Sequence, residues 1–122
     1  MTTDELMFFN TMPGALPLYE ILRRKLLTEY PDTILKVQKS QITFRVKYGY
    51  AFVSLRRMKG CPEVFMIVSF GLRHRLDSPR IAAAVEPYPN RWTHHTIVSE
   101  AEQLDDELMD WLREAHDFAL IK

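Results

Sequence analysis

The chain has 122 residues, 47% of them hydrophobic, and its 16 Lys and Arg residues balance its 16 Asp and Glu residues. A chain of this size and composition buries enough apolar surface to fold without staples, which excludes an intrinsically disordered protein and a disulfide scaffold. The single cysteine, the lack of a recognisable signal sequence and the shortness of the apolar runs favour a cytoplasmic protein with no membrane anchor.

The neutral total conceals a segregation of charge along the chain. Residues 23–91 hold 14 basic and 5 acidic residues, whereas residues 92–122 hold 2 basic and 8 acidic residues. A basic middle segment is typical of an anion-binding surface, and equally of strands that an acidic C-terminal helix covers and neutralises. The neutralising helix is the favoured interpretation.

Two helices are predicted in the first third of the chain. Residues 1–14 are predicted to form a short helix or arm, because Thr2 and Glu5 have the spacing of a capping box. A longer helix is predicted from Pro17 to Tyr30, where leucines recur at helical spacing until the next proline ends the segment.

Strands are predicted from Ile34 onward, where polar and apolar residues begin to alternate. Residues 41–47 and 50–55 form a predicted hairpin around a two-residue loop, a register that pairs Phe44 with Val53. Two further predicted strands are residues 64–70, which are apolar on both faces, and residues 92–98.

A short helix is predicted between these last two strands, because Asp77 provides an N-cap ahead of Pro79 and an alanine-rich stretch that runs to Val85. Ser99 and Glu102 form a second capping box, which predicts a closing helix. The apolar stripe of that helix consists of Leu104, Leu108, Trp111, Leu112, Ala115 and Ala119.

These elements predict a single α+β domain over residues 1–122. Its core is a mainly antiparallel four- to five-stranded sheet with the N-terminal helices, the short inserted helix and the C-terminal helix packed on it. No repeat, low-complexity segment or linker divides the chain.

Four separated motifs, in the same order along the chain, resemble a known family. They are Lys39–Phe44 (KSQITF), Leu76–Arg80 (LDSPR), Arg91–His95 (RWTHH), and the terminal-helix segments Leu104–Leu108 (LDDEL) and Trp111–Ala115 (WLREA). The chain resembles small bacterial domains that are classified as a domain of unknown function (DUF5655-like), and the resemblance extends from about Pro17 to Phe118. It implies a shared fold and an accessory or ligand-binding role, but no activity and no catalytic residue.

The sequence does not favour metal or nucleophile chemistry. His94 and His95 are adjacent on a predicted strand and therefore project from opposite faces, and Cys61 lacks a paired cysteine or a neighbouring histidine. We therefore predict no metal site, no cofactor and no catalytic residue. The alternative from another class is a small enzyme whose pocket is lined by His94, Tyr48 and Arg91, with the histidine as general base.

The densest cationic cluster surrounds the predicted inserted helix and contains Arg73, Arg75 and Arg80. Backbone N–H groups at a helix start and guanidinium groups together bind anions. Pairing of these arginines with Asp77, Glu86 or the acidic terminal helix is the alternative and the favoured interpretation of the cluster.

A second candidate surface is the outer face of the predicted hairpin, which carries Arg45, Lys47, Tyr50 and Phe52. Cations and aromatic rings on an open sheet stack nucleic-acid bases. If the first helices covered this face, the same residues would form a second core instead, and this reading is preferred.

The sequence thus predicts a small binding module for an anionic ligand, either a phosphorylated small molecule or a nucleic-acid backbone. A protein-interaction or self-association module, working as a homodimer or on an accessory partner protein, is a further hypothesis. The candidate ligand-binding residues are Arg73, Arg75, Arg80, Arg91, His94, Lys39, Arg45 and Tyr48.

Overall fold

The alternating segments in the middle of the chain pair into one antiparallel sheet of six strands, in a computed structural model that describes residues 1–122. The strands are β1 (Ile34–Val37), β2 (Ile42–Arg45), β3 (Gly49–Ser54), β4 (Met66–Leu72), β5 (Ile81–Tyr88) and β6 (Arg91–Val98). They lie in the order β1-β2-β3-β4-β6-β5, so β4 is an interior strand and β1 and β5 are the edges. The α+β architecture is confirmed, with six strands where four to five were predicted.

Three helices flank the sheet: α1 (Thr3–Phe8), α2 (Leu16–Glu29) and α3 (Asp106–Ile121). Short 3-10 turns precede α2 at Pro13–Ala15 and α3 at Ala101–Gln103. The capping box of α1 forms as predicted, since Thr2 and Glu5 each accept the other's backbone N–H. None of the helices combines the length and the apolar character needed to cross a membrane.

A buried carboxylate joins the first two helices. Glu5 of α1 is 1% exposed and accepts hydrogen bonds from Tyr19 Oη and from Arg23 Nε, the latter at 2.7 Å. Burial alone would raise the pKa of Glu5, but the hydrogen bonds from Arg23, Thr2 and Tyr19 outweigh it and lower the pKa to about 2. The N-terminal arm is therefore fixed to α2 by a charged contact as well as by apolar packing.

The predicted inserted helix is wrong, because the segment that ends at Val85 lies mostly in strand β5, antiparallel to β6. Ser78 does not take part in a helix start; its Oγ accepts the N–H of Arg80 at 3.2 Å in a local turn. The alanines after Ile81 favour a helix by intrinsic propensity, but tertiary context overrides propensity, and here the edge of β6 provides the backbone partners of a strand.

The closing helix starts later than predicted. α3 begins at Asp106, and Asp105 caps it by accepting the N–H of Leu108 at 3.1 Å. The predicted box of Ser99 and Glu102 is wrong by one residue, since Gln103 Oε1 accepts the backbone N–H of Glu100 at 3.1 Å and these two residues cap the short 3-10 turn. The predicted apolar stripe does face the core: Leu104, Leu108, Leu112, Ala115 and Ala119 are buried, and Trp111 is half-buried.

The hairpin of β2 and β3 pairs two residues away from the predicted register, with Phe44 opposite Ala51. The next pair joins Arg45 to Gly49, which leaves Tyr50 as the extra residue of a β-bulge. Its ring consequently turns to the helix side of the sheet, where it is fully buried and its Oη is 2.7 Å from Thr33 Oγ1. Tyr50 is therefore absent from the outer face on which it was predicted.

The core lies between one face of the sheet and the helices. Tyr19 of α2 packs against Phe44 of β2, with 6.2 Å between ring centroids, and Trp111 of α3 stacks on Phe70 of β4 at 5.9 Å. The first helices thus pack on the inner face, and the interpretation that they cover the outer face is wrong. That outer face carries no helix and is hereafter called the open face.

Candidate ligand-binding site on the open face of the sheet

A cavity of about 730 Å³ occupies the open face. Side chains alternate along each strand, so β3, β4 and β6 each contribute two outward residues to it. The loops around it add residues from the β1–β2 turn and from the segment after β3. The lining residues are Ser40, Gln41, Phe52, Ser54, Arg56, Arg57, Met58, Lys59, Ile67, Ser69, Thr93 and His95.

At the bottom of this cavity, Ser69 and His95 form a cross-strand pair between β4 and β6. Ser69 Oγ lies 2.6 Å from His95 Nδ1, which fixes the orientation of the imidazole ring. Burial lowers the pKa of His95 below its usual value, so the ring is neutral at pH 7. Nε2 has no protein partner and is the ring atom left to contact a ligand.

The basic rim of the cavity is a loop that one of its own arginines holds in shape. Arg57 Nη1 donates to the carbonyl oxygens of Cys61 and Pro62 at 3.0 and 2.9 Å, and its guanidinium lies 5.0 Å from the ring centroid of Phe65. Arg56 and Lys59 are exposed and form no ion pair. Because none of the 12 lining residues is acidic, the positive charge of the rim is not neutralised within the cavity.

A second cavity of about 590 Å³ adjoins the first, and Thr93 lines both. It lies at the end of the sheet where the β2–β3 turn, the β5–β6 turn and the last residue of the chain meet. Its lining residues are Tyr48, Pro87, Tyr88, Pro89, Arg91, Thr93 and Lys122, and none of them is acidic.

Behind this second cavity, three cations surround one aromatic ring. The charged groups of Arg73, Arg91 and Lys122 lie 5.3, 4.9 and 5.4 Å from the ring centroid of Phe118. Burial, followed by the charge of Arg91, lowers the pKa of Lys122. Of the predicted site residues, the structure therefore gathers Arg73, Arg91 and Tyr48 at this end of the sheet.

Arg80 has a structural role instead. Its guanidinium donates to Asp105 at 2.8 Å and to Glu107 at 2.9 Å, both at the start of α3, and to the carbonyl oxygen of Gln103 at 2.7 Å. The helix around which the anion site was predicted is not formed. Arg80 instead pairs with the acidic terminal helix, which is the alternative interpretation that the sequence analysis favoured.

His94 is also outside both cavities. It is fully buried against Phe70, and its Nε2 accepts the backbone N–H of Leu76 at 2.9 Å. The enzyme pocket predicted from His94, Tyr48 and Arg91 is therefore not assembled, because the last two line a cavity that His94 does not reach.

The remaining predicted residues, Arg75, Lys39 and Arg45, are exposed and line neither cavity. Arg45 lies on β2, and its guanidinium donates to the carbonyl oxygen of Lys47 at 3.3 Å. These cations add to the positive charge around the sheet but do not form a site.

The sequence analysis missed the residues that do line the larger cavity, chiefly Ser69, His95, Arg56 and Lys59. Two signals were present: a serine interrupts the apolar strand, and a basic run follows β3. The pairing of β4 with β6, which brings the serine to the histidine, is a long-range contact that local patterns do not encode. The prediction that His94 and its neighbour face opposite sides is confirmed, and no group of three or more potential metal-ligating side chains is present.

Comparison with known proteins gives one match. The family described as Domain of unknown function (DUF5655) matches residues 8–119, which include α2, every strand and most of α3. No curated protein and no solved structure matches the chain. The description of the matching family assigns no ligand and no reaction.

Proposed function

The chain belongs to the DUF5655 family of domains of unknown function, so its role has to be argued from its site, and we propose that it binds a phosphate-bearing anionic ligand in the cavity of the open face. The observation that carries the proposal is the composition of the cavity wall. Three cations and a set of hydroxyl and imidazole groups line it, and no carboxylate accompanies them.

Each part of the wall matches one part of such a ligand. Arg56 and Lys59 offer exposed positive charge to a phosphate group, and Arg57 adds charge while it holds the loop. Hydroxyl groups at the floor are suited to the remaining phosphate or sugar oxygens. The half-buried ring of Phe52 provides an apolar surface for a base or another planar group.

In this proposal Ser69 is a positioning residue and His95 contacts the ligand. When Ser69 Oγ donates to Nδ1, Nε2 carries the imidazole proton and donates it in a hydrogen bond to the anion. A bound phosphate also favours the imidazolium form, so binding is coupled to proton uptake and strengthens as the pH falls towards 6.

The test is a thermal-shift series with inorganic phosphate, pyrophosphate and nucleoside phosphates. The double variant Arg56→Ala with Lys59→Ala removes the exposed rim charge and leaves Arg57 to hold the loop. Its matched control, Arg24→Ala with Arg75→Ala, removes the same charge from exposed positions outside both cavities.

We expect the ligands to raise the melting temperature of the wild type and the control but not of the rim variant. Ligand at one hundred times Kd stabilises a protein by about 2.7 kcal/mol, which is a shift of several degrees in a domain of this size. The shift should shrink between about 50 and about 200 mM salt. An equal response of the rim variant and the wild type, or no response to any anion, would refute the proposal.

A further inference from the structure

The two cavities adjoin at one residue. Thr93 of β6 lines both, and its partner on β4 is Gly71, which presents no side chain to the same face. A Cβ built on Gly71 would have only the carbonyl oxygen of Trp92 within 4 Å, at 3.9 Å. The space above Gly71 is therefore open, and the two adjoining cavities are here together called the sheet groove.

The sheet groove is longer than one phosphate group needs. Its first cavity begins at Gln41, beside β2, and crosses β3 and β4 to His95 on β6. The first cavity thus crosses three strand spacings of about 4.8 Å, which is a length of about 14 Å without the second cavity. A ligand that fills the groove is therefore an extended one.

Charge is present at both ends of the sheet groove. Arg56, Arg57 and Lys59 form one end and Arg91 and Lys122 the other, and no acidic residue lines either cavity. A small metabolite with one phosphate group would contact only one of these two groups of cations. A chain of regularly spaced negative charges uses both, and such multiple contacts are typical of nucleic-acid backbones.

Aromatic rings accompany the cations along the sheet groove. Phe52 lies in the first cavity, and Tyr48 and Tyr88 line the second, with 45% and 70% of their surfaces exposed. Rings that face solvent beside cations are platforms on which unpaired bases stack. A duplex keeps its bases inside its own stack and offers these rings no partner.

We infer that the ligand of the sheet groove is a single-stranded nucleic acid, whose backbone runs from the basic loop after β3 across Thr93 and Gly71 to Tyr88 and Arg91. This inference rests on the proposed anion-binding function and extends it in two ways. It names the class of ligand, and it makes the second cavity part of the same site.

Fluorescence anisotropy with a labelled single strand of mixed sequence tests the inference, with the unlabelled mononucleotide, the duplex of the same sequence and poly-glutamate as competitors. The first variant, Tyr88→Ala with Arg91→Ala, removes a ring and a cation from the second cavity only. The second variant, Gly71→Leu, fills the groove between the cavities, and Gly71→Ala is its control. Position 71 has no left-handed backbone and space for a side chain, so both substitutions are compatible with the fold.

We expect the single strand to bind more tightly than the mononucleotide and the duplex. Tyr88→Ala with Arg91→Ala should weaken the single strand by roughly 5- to 150-fold, the factor that corresponds to 1–3 kcal/mol of base stacking, and leave the mononucleotide unchanged. Gly71→Leu should act in the same direction, whereas Gly71→Ala should bind like the wild type. A melting curve for each variant verifies that it is folded.

The possible failures are distinguishable. If the mononucleotide binds and requires Arg56 and Lys59, but the single strand binds no tighter, the inference is overturned and the proposed function stands. Equal competition by poly-glutamate or by the duplex also overturns the inference, because charge alone then explains binding. If no anion binds, both proposals fail.

Discussion

His94 and His95 are consecutive residues of β6, and the alternation of the strand gives them different tasks. His94 points to the helices and anchors the segment after β4 by accepting the N–H of Leu76. His95 points to the open face, where Ser69 orients it at the floor of the cavity. Burial lowers the pKa of both rings below the usual value of 6.5, so both are neutral at pH 7.

The two lowered pKa values make the stability of the free protein depend on pH in one direction. Because the unfolded chain binds a proton at each histidine near pH 6.5 and the folded chain only at lower pH, stability is complete above 6.5 and is lost on acidification. We expect the free energy of unfolding, from urea titrations, to fall as the pH is lowered from 7 to 5. In a variant with His94→Gln and His95→Gln this decline should be smaller, and an unchanged slope would contradict the assignment.

A single bulge determines which aromatic residues reach the open face. Perfect alternation through β3 would place Tyr50 beside Phe52, and the hairpin prediction did so. The extra residue at the Arg45–Gly49 pair turns Tyr50 inward, and the Phe52 ring then lies directly over Gly49, where a Cβ would be 2.7 Å from it. Alternation in the sequence therefore assigns residues to the correct face of the sheet only as far as the bulge.

Among the elements, those with a strong local signal were predicted well. The capping box of α1, the leucine spacing of α2 and the apolar stripe of α3 are properties of a few consecutive turns, and the structure confirms all three. Most of β5 was predicted as a helix, because its alanines have little preference for strands. Its strand conformation results from backbone pairing with β6. An edge strand of this kind is defined by its partner and is not readable from its own residues.

The contact of α3 with the sheet provides a prediction at this scale. Trp111 is half-buried, stacks on Phe70 at 5.9 Å and lies under the guanidinium of Arg80 at 5.7 Å. Because part of the ring stays in contact with solvent, Trp111→Ala should cost about 2–3 kcal/mol, below the value typical of a fully buried tryptophan. Urea titration followed by circular dichroism measures this cost.

The control for that experiment is Arg113→Ala, an exposed position on the same helix. Its loss should stay within about 0.5 kcal/mol. Trp111→Phe keeps an aromatic ring against Phe70 and should fall between the two. A loss below about 1 kcal/mol for Trp111→Ala would mean that the stack contributes little to the fold.

At the scale of the whole molecule, only part of the basic middle segment is paired with the acidic C-terminal segment. The acidic α3 packs on the inner face, and only Arg80 and His74 among the basic-segment residues pair with it. The rim cations of the larger cavity keep no acidic partner. The sequence therefore predicted the class of ligand that we propose, but not its place, because which face stays open depends on how the helices pack.

The sheet should also differ in stability from its centre to its edge. β4 is hydrogen-bonded on both sides and nearly all of it is buried, whereas β5 pairs only with β6 and is mostly exposed. We expect the amides of β4 to exchange with solvent deuterium only through global unfolding, and those of β5 through local opening at a lower free energy.

Arg80 supplies the variant that tests this difference. It joins the start of β5 to Asp105 and Glu107 of the α3 terminus, so Arg80→Ala should speed exchange in β5. Exchange in β4 should change only by the loss of global stability, measured separately by urea titration, and Arg24→Ala should change neither strand. If β4 and β5 exchange at one common free energy in the wild type, the sheet opens as a single cooperative unit, and the edge strand is as firmly held as the centre.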